Sequence, residues 1–195
     1  MFHTSLTPAE TKRLLPVDDL MPGADERALF NNVSVVPVMD PIFAYSIVLP
    51  DGWYRLDSPG PTWELSEERF SALGVFTPAE RMEPPVVVSC GVIQMPDGAS
   101  VASCFERYCR VEELEILSVG PQELMAGAVV DGLVRRRVGG WDLTMRLTMF
   151  EDGGRLFGIS GMAPSSIYPD VVRELSLALY SFELLWPLGP SSPRD

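Results

Sequence analysis

Few residues in this 195-residue chain are able to do chemistry. The only histidine is His3 and the only lysine is Lys12. Catalytic triads, histidine acid–base catalysis and zinc sites built on several imidazoles all need more histidine than this. A lone lysine so near the amino end also removes a Walker-type phosphate loop and makes Schiff-base chemistry improbable. Gly158-Ile159-Ser160-Gly161 comes near the nucleophile elbow G-x-S-x-G, but the spacing is wrong and the run reads as a strand, so Ser160 is expected to be structural. Asn32-Val33-Ser34 matches a glycosylation sequon, which has meaning only in a secreted chain.

Cys90, Cys104 and Cys109 are odd in number and contain no C-x-x-C pair, which reads as reduced, small apolar side chains. Cys90 sits mid-strand among apolar neighbours and is expected in the core. Cys104 and Cys109, five apart in a helix, are not expected to bridge each other. Glu112, Glu113 and Glu115 form an acidic cluster, the ordinary surface of an acidic protein, with no sign of the burial that perturbs a catalytic carboxylate. The expectation is a chain with no catalytic residue, no metal and no cofactor.

The elements holding these residues belong to a chain with 46% hydrophobic residues, enough for a sizeable core in one domain. With 27 acidic against 15 basic residues the net charge is −12. That balance opposes sequence-independent nucleic-acid binding and docking on an anionic membrane. The start "MFHTSLTPAETKRLLP" lacks the basic and apolar regions of a secretory signal, and no run is long and apolar enough to span a membrane. The chain is therefore expected to be soluble and cytoplasmic.

Residues 1–40 read as an irregular arm with a short helix after the capping sequence Thr7-Pro8-Ala9-Glu10. The same four residue types recur at Thr77-Pro78-Ala79-Glu80 as local grammar, with no wider repeat. A domain is expected over 41–186 and a loose tail over 187–195. Strands are expected at Ala44–Leu49, around Val75 and at Val86–Met95. Val101, Cys104, Phe105 and Tyr108 make one apolar helical stripe behind a Ser100 cap. "EILSV", "AVVDGLVRRRV", "WDLTMRLTMF" and "RLFGISGM" read as antiparallel strands, with tight turns at Gly139-Gly140 and Gly153-Gly154. A last helix begins near Ser166 or Pro169 and buries Val171, Val172, Leu175 and Leu179. The class is α+β, a mostly antiparallel sheet with helices packed on it.

A two-residue Gly-Gly turn sets Val138 opposite Trp141, Arg137 opposite Asp142, Arg136 opposite Leu143 and Arg135 opposite Thr144. Trp141, Leu143, Met145, Leu147 and Met149 then share a face with Val134, Val138 and Arg136, while Asp131, Leu133, Arg135, Arg137, Asp142, Thr144, Arg146 and Thr148 share the other. A strand pair so polar on one side is expected to show it to water, with Arg137 pairing Asp142 and Arg146 near Asp131. The competing reading is a docking platform, with Arg135, Arg137, Arg146 and Asp142 meeting a partner. Arg136 stands out on the apolar face, to be explained by snorkelling, by a buried acid or by a slipped register. Trp141, Met145 and Met149, with Met125, Met162 and Phe157, offer a second candidate: either ordinary core or an adaptable groove for a partner segment.

"YSIVLPDGW", a middle helix, a run of antiparallel strands and a closing helix ending "SFELL" resemble the PsbP-like superfamily, which includes the photosystem II extrinsic protein, a Ran-binding protein, DcrB-type proteins and Eag-type adaptors of type VI secretion. Phe43, Pro50, Trp53, Ser181 and Phe182 carry the resemblance, over roughly residues 43–185. It implies an α/β/α sandwich whose members mostly bind proteins and are not known as enzymes. The function expected is thus a non-enzymatic protein-binding, adaptor or chaperone-like module. The alternative is a small-ligand binder or enzyme using arginines and acids on the polar sheet face.

Overall fold

The computed structural model describes residues 27–37, 41–56, 64–65, 68–78, 86–124 and 127–185. The helix expected after Thr7, Ala79 and Glu80 of the second capping sequence, Met125 and the tail beyond Trp186 lie outside them.

The strands are β1 (Phe30–Val35), β2 (Tyr45–Pro50), β3 (Tyr54–Arg55), β4 (Glu64–Leu65), β5 (Glu68–Arg69), β6 (Ser71–Thr77), β7 (Val87–Gln94), β8 (Glu115–Leu124), β9 (Gly127–Val138), β10 (Trp141–Asp152), β11 (Arg155–Pro164) and β12 (Glu183–Leu184). Helix α1 spans Val101–Val111 and α2 spans Tyr168–Tyr180. Seven strands form one sheet in the order β3-β6-β7-β11-β10-β9-β8, and β1-β2-β12 form a second. All of these pairings are antiparallel. The class is α+β. Strand β1 is a correction: Phe30–Val35, expected in an irregular arm, pairs along the whole of β2. Its asparagines and serine masked the alternation, and only pairing to β2 makes it a strand.

The two longest hairpins follow from their glycines. Gly139 and Gly140 have φ of 58° and 83°, Gly153 and Gly154 56° and 75°. Positive φ at both turn positions is what a two-residue turn matched to strand twist requires. These turns fix the pairing of β9, β10 and β11, and the register is the one the sequence implies, from Trp141 opposite Val138 to Thr144 opposite Arg135. Ser100 caps α1 with a reciprocal Ser100–Ser103 box.

The large sheet has a helix on each face. On one, α1 lays Val101, Cys104, Phe105 and Tyr108 over Val134, Leu147 and Met149. A Cβ at Gly132 would collide with the Phe105 ring, so this glycine sets how closely α1 approaches β9. On the other face, α2 lays Val172, Leu175 and Leu179 over Leu133, Ile159 and Ala163, and the β1-β2-β12 sheet closes the same core with Tyr45, Ile47 and Leu49. The residues shared with the PsbP-like pattern meet there. Phe43 packs edge-on to Phe157 at 6.0 Å, and Phe182 stacks on Tyr45 at 4.8 Å. Ser181 Oγ accepts the Val48 N–H at 2.8 Å, tying the end of α2 to β2.

Candidate functional site

The polar face of the β9–β10 hairpin is mostly interior, against the expectation of a solvated face. Asp131, Thr144, Arg146 and Thr148 are buried, and Arg146 is 0% exposed. On the sheet Arg146 stands between Leu133 of β9 and Gly161 of β11. A Cβ on Gly161 would lie 2.9 Å from the Leu175 Cβ, so the glycine lets α2 press onto the sheet and close over the arginine. The guanidinium donates from Nε to Asp131 Oδ1 and Oδ2 at 3.1 and 3.2 Å, and from Nη2 to Oδ2 at 2.6 Å. It also donates to Ser176 Oγ and Tyr180 Oη, both at 2.6 Å. Asp131 further accepts from Thr148 Oγ1 at 3.0 Å and Tyr180 Oη at 3.1 Å. Burial acts to lower the Arg146 pKa, but the Asp131 carboxylate outweighs it and the net displacement is upward. The sequence places Arg146 near Asp131 through the pleat; it hides the lid. The missed signal is Ser176, four residues after Val172 and so within the helix's buried stripe, with Tyr180 four further on.

The remaining hairpin arginines separate. Arg137 and Asp142 are exposed and Arg135 is half-buried. The ion contact to Asp142 comes from Arg135, Nε to Oδ1 at 3.9 Å, rather than from the expected Arg137. Arg136 keeps its register on the apolar side, and the acid holding it is Glu112, the C-cap of α1, with Nη1 to Oε2 at 2.8 Å. Glu112 thus ties the helix end to the hairpin.

On the apolar face the two methionine candidates part. Met149 is sealed beneath α1, and Phe157 lies on the opposite face, so neither lines a groove. Met145 lies farther along the hairpin, where α1 has ended. There a cavity of about 230 Å³ opens. Its floor is the row Val134, Met145, Met162 and Val87, one residue from each of four adjacent strands, with Leu143 beyond. Three interstrand spacings make the trough roughly 14 Å across. Its inner wall is Tyr108, Glu112 and Leu114 at the end of α1, with Ser89 and Ser160 at the foot, hydroxyls 2.9 Å apart. Val138 and Arg136 form the rim toward the hairpin tip. Val138 and Trp141 face each other at that tip, 44% and 41% exposed, and extend the apolar surface outward. The Ser160 hydroxyl, of the near-miss elbow, hydrogen bonds only that of Ser89 among the described residues.

All three cysteines are buried, and no disulfide joins them among the described residues. Burial pushes the Cys90 thiol up to about 12, partly offset by its hydrogen bond with Tyr45, and burial likewise pushes Cys109 up to about 12. Neither has the depressed pKa of a reactive thiol. Among the described residues no group of three or more His, Cys, Asp or Glu side chains is arranged to hold a metal ion, and no helix is long and apolar enough to cross a membrane.

A seven-stranded antiparallel sheet between two helices, closed on one side by a small second sheet and open at a trough on the other, is an α+β architecture whose fold is similar to that of PsbP. Among solved structures, the cyanobacterial PsbP protein CyanoP from Synechocystis sp. PCC 6803 superposes with a TM-score of 0.56 at 14% identity, over 84% of this chain and 97% of that one. LpqN of Mycobacterium tuberculosis, described as involved in cell envelope biogenesis, gives 0.47 at 8% identity over 80% and 91%. A Pseudomonas aeruginosa protein described as a putative regulator gives 0.42 at 12% over 72% and 88%. The likeness is one of fold. No protein-family model matches the sequence, and no curated protein is significantly similar to it.

Proposed function

We propose that the domain is a non-catalytic protein-binding module of adaptor type, and that the partner docks on the trough and the adjoining hairpin tip. The observation carrying this reading is the trough lined by Met162, Met145 and Leu143, with Val138 and Trp141 exposed at the hairpin tip beside it. An apolar pocket beside an exposed tryptophan, with an arginine on its rim, has the composition of an interface hot spot. At about 230 Å³ the cavity is smaller than the roughly 300–1,000 Å³ of small-molecule sites, which favours a side chain of a larger partner. The burial of Arg146 and Asp131 beneath α2 also supports this reading over the alternative, ligand chemistry on the polar sheet face, since it takes those two side chains out of reach of a ligand.

Site-specific photocrosslinking tests the docking surface. A photoreactive residue is placed at Trp141 or Val138 in the native host, with one at Glu106, on the exposed side of α1, as the control. Docking at the tip gives a discrete crosslinked protein from 138 and 141 that is absent from 106. Identical patterns from all three positions, or none, would overturn the reading.

A further inference from the structure

The trough has a polar foot that its apolar floor does not explain. Ser89 and Ser160 face each other across β7 and β11, both buried, with hydroxyl oxygens 2.9 Å apart. Two hydroxyls carry two hydrogens and the contact between them uses one. Neither serine hydroxyl has another hydrogen-bonding partner among the described residues, so one O–H is left over at the foot of a cavity whose floor is apolar. Leaving a buried donor unspent is costly, and such a group calls for an explanation. An occupant that satisfied it would be apolar along its body and polar at its tip.

We infer that the trough takes a tyrosine side chain of the protein partner, its ring on the Met145–Met162 floor and its hydroxyl at the Ser89–Ser160 pair. Three observations converge. A cavity of about 150 Å³ admits a benzene ring, so about 230 Å³ holds a phenol with room to spare. The two methionine side chains are polarizable and make favourable sulfur–aromatic contacts. Tyrosine joins an apolar ring to a hydroxyl that finds a partner when buried, and it is enriched among interface anchors. At the mouth, the Arg136–Glu112 pair leaves the overall charge near zero, which suits a neutral side chain better than an ionic one. This rests on the docking role proposed above and specifies its anchor.

The test is an NMR titration of the intact chain, following the Met145 and Met162 methyl signals, with N-acetyl-tyrosinamide and N-acetyl-phenylalaninamide as probes. One hydrogen bond to the serine pair makes the tyrosine probe about threefold to tenfold tighter. The ratio falls to about one in the Ser89→Ala/Ser160→Ala double variant, while the phenylalanine probe keeps its affinity. p-Cresol against toluene repeats the comparison without the backbone amides, and cresol binding as tightly as the tyrosine probe would assign the site to free phenols instead. Equal affinity of the tyrosine and phenylalanine probes in the unmodified chain, shifts that avoid both methionines, or a ratio surviving in the double variant would each overturn the assignment. The comparison in the unmodified chain does not depend on any variant folding. Discrete crosslinks from positions 138 and 141 alongside failed tyrosine selectivity would remove the tyrosine and leave the docking surface; loss of both would remove the docking role.

Discussion

Arg146 and Asp131 form an ion pair inside the protein, Nη2 to Oδ2 at 2.6 Å, with the arginine wholly excluded from solvent beneath α2. Every close contact around it is charge-assisted, with Ser176 and Tyr180 reaching down from the helix and Thr148 across from β10. The pair joins β9, β10 and α2, and its energetics depend on both partners being present.

Removing one partner strands the other as a buried, unmatched charge. Asp131→Ala or Arg146→Ala is therefore expected to cost about 3–5 kcal/mol in urea unfolding. Replacing both with apolar residues of similar volume, Asp131→Leu with Arg146→Met, should recover most of that loss. A double variant no more stable than either single one would show that the pair is not the unit of stability.

Arg136 supplies the contrast. Its bond to Glu112 is as short, at 2.8 Å, but its side chain is 44% exposed. Water screens that pair, so Arg136→Ala should change stability by less than about 1 kcal/mol. Equal losses for Arg136→Ala and Arg146→Ala in the same experiment would contradict the difference in burial.

Gly132 is held to glycine by the Phe105 ring. Gly132→Ala overpacks the α1 face and should cost about 1–3 kcal/mol, and Phe105→Leu in the same chain should return part of it. Thermal unfolding of the three variants checks this, since additive losses would mean that the two sites do not touch.

The thiols set an alkaline limit. Burial raises Cys90 from an ordinary value near 9.0 to about 12, so over that interval the folded state keeps a proton that the unfolded state has lost. Stability then falls as pH rises from about 9 toward 12 and is unaffected below that window. Cys109, also at about 12, and Tyr45, raised by burial, act in the same direction. Urea midpoints are expected to be level from pH 7 to 8.5 and to drop by pH 11, and Cys90→Ala should flatten the drop. A chain as stable at pH 11 as at pH 8 would refute this account.

Much of this molecule is local and therefore legible. The glycine pairs at 139–140 and 153–154 set turn type, turn type sets register, and register sorts every hairpin side chain to a face. The Ser100 cap and the 101-104-105-108 stripe define α1 in the same way. β1 escaped because Asn31, Asn32 and Ser34 break its alternation, and only the pairing to β2 makes it a strand. The trough was half visible: Met145 and Trp141 share a face with Val138 in the sequence pattern, but nothing local shows that α1 stops at Glu112 and leaves that part of the sheet uncovered.

Sequence by itself therefore determined the α+β class, the two main helices, the hairpin register and the poverty of catalytic groups, because each depends on residue type or short-range spacing. Only the tertiary structure decided which face met water. Alternation along a strand states that two faces differ, and it cannot state what covers each. Here α2 closes over the charged face and gives Arg146 and Asp131 partners in place of solvent. On the apolar face α1 ends early enough to leave the Met145–Met162 row open.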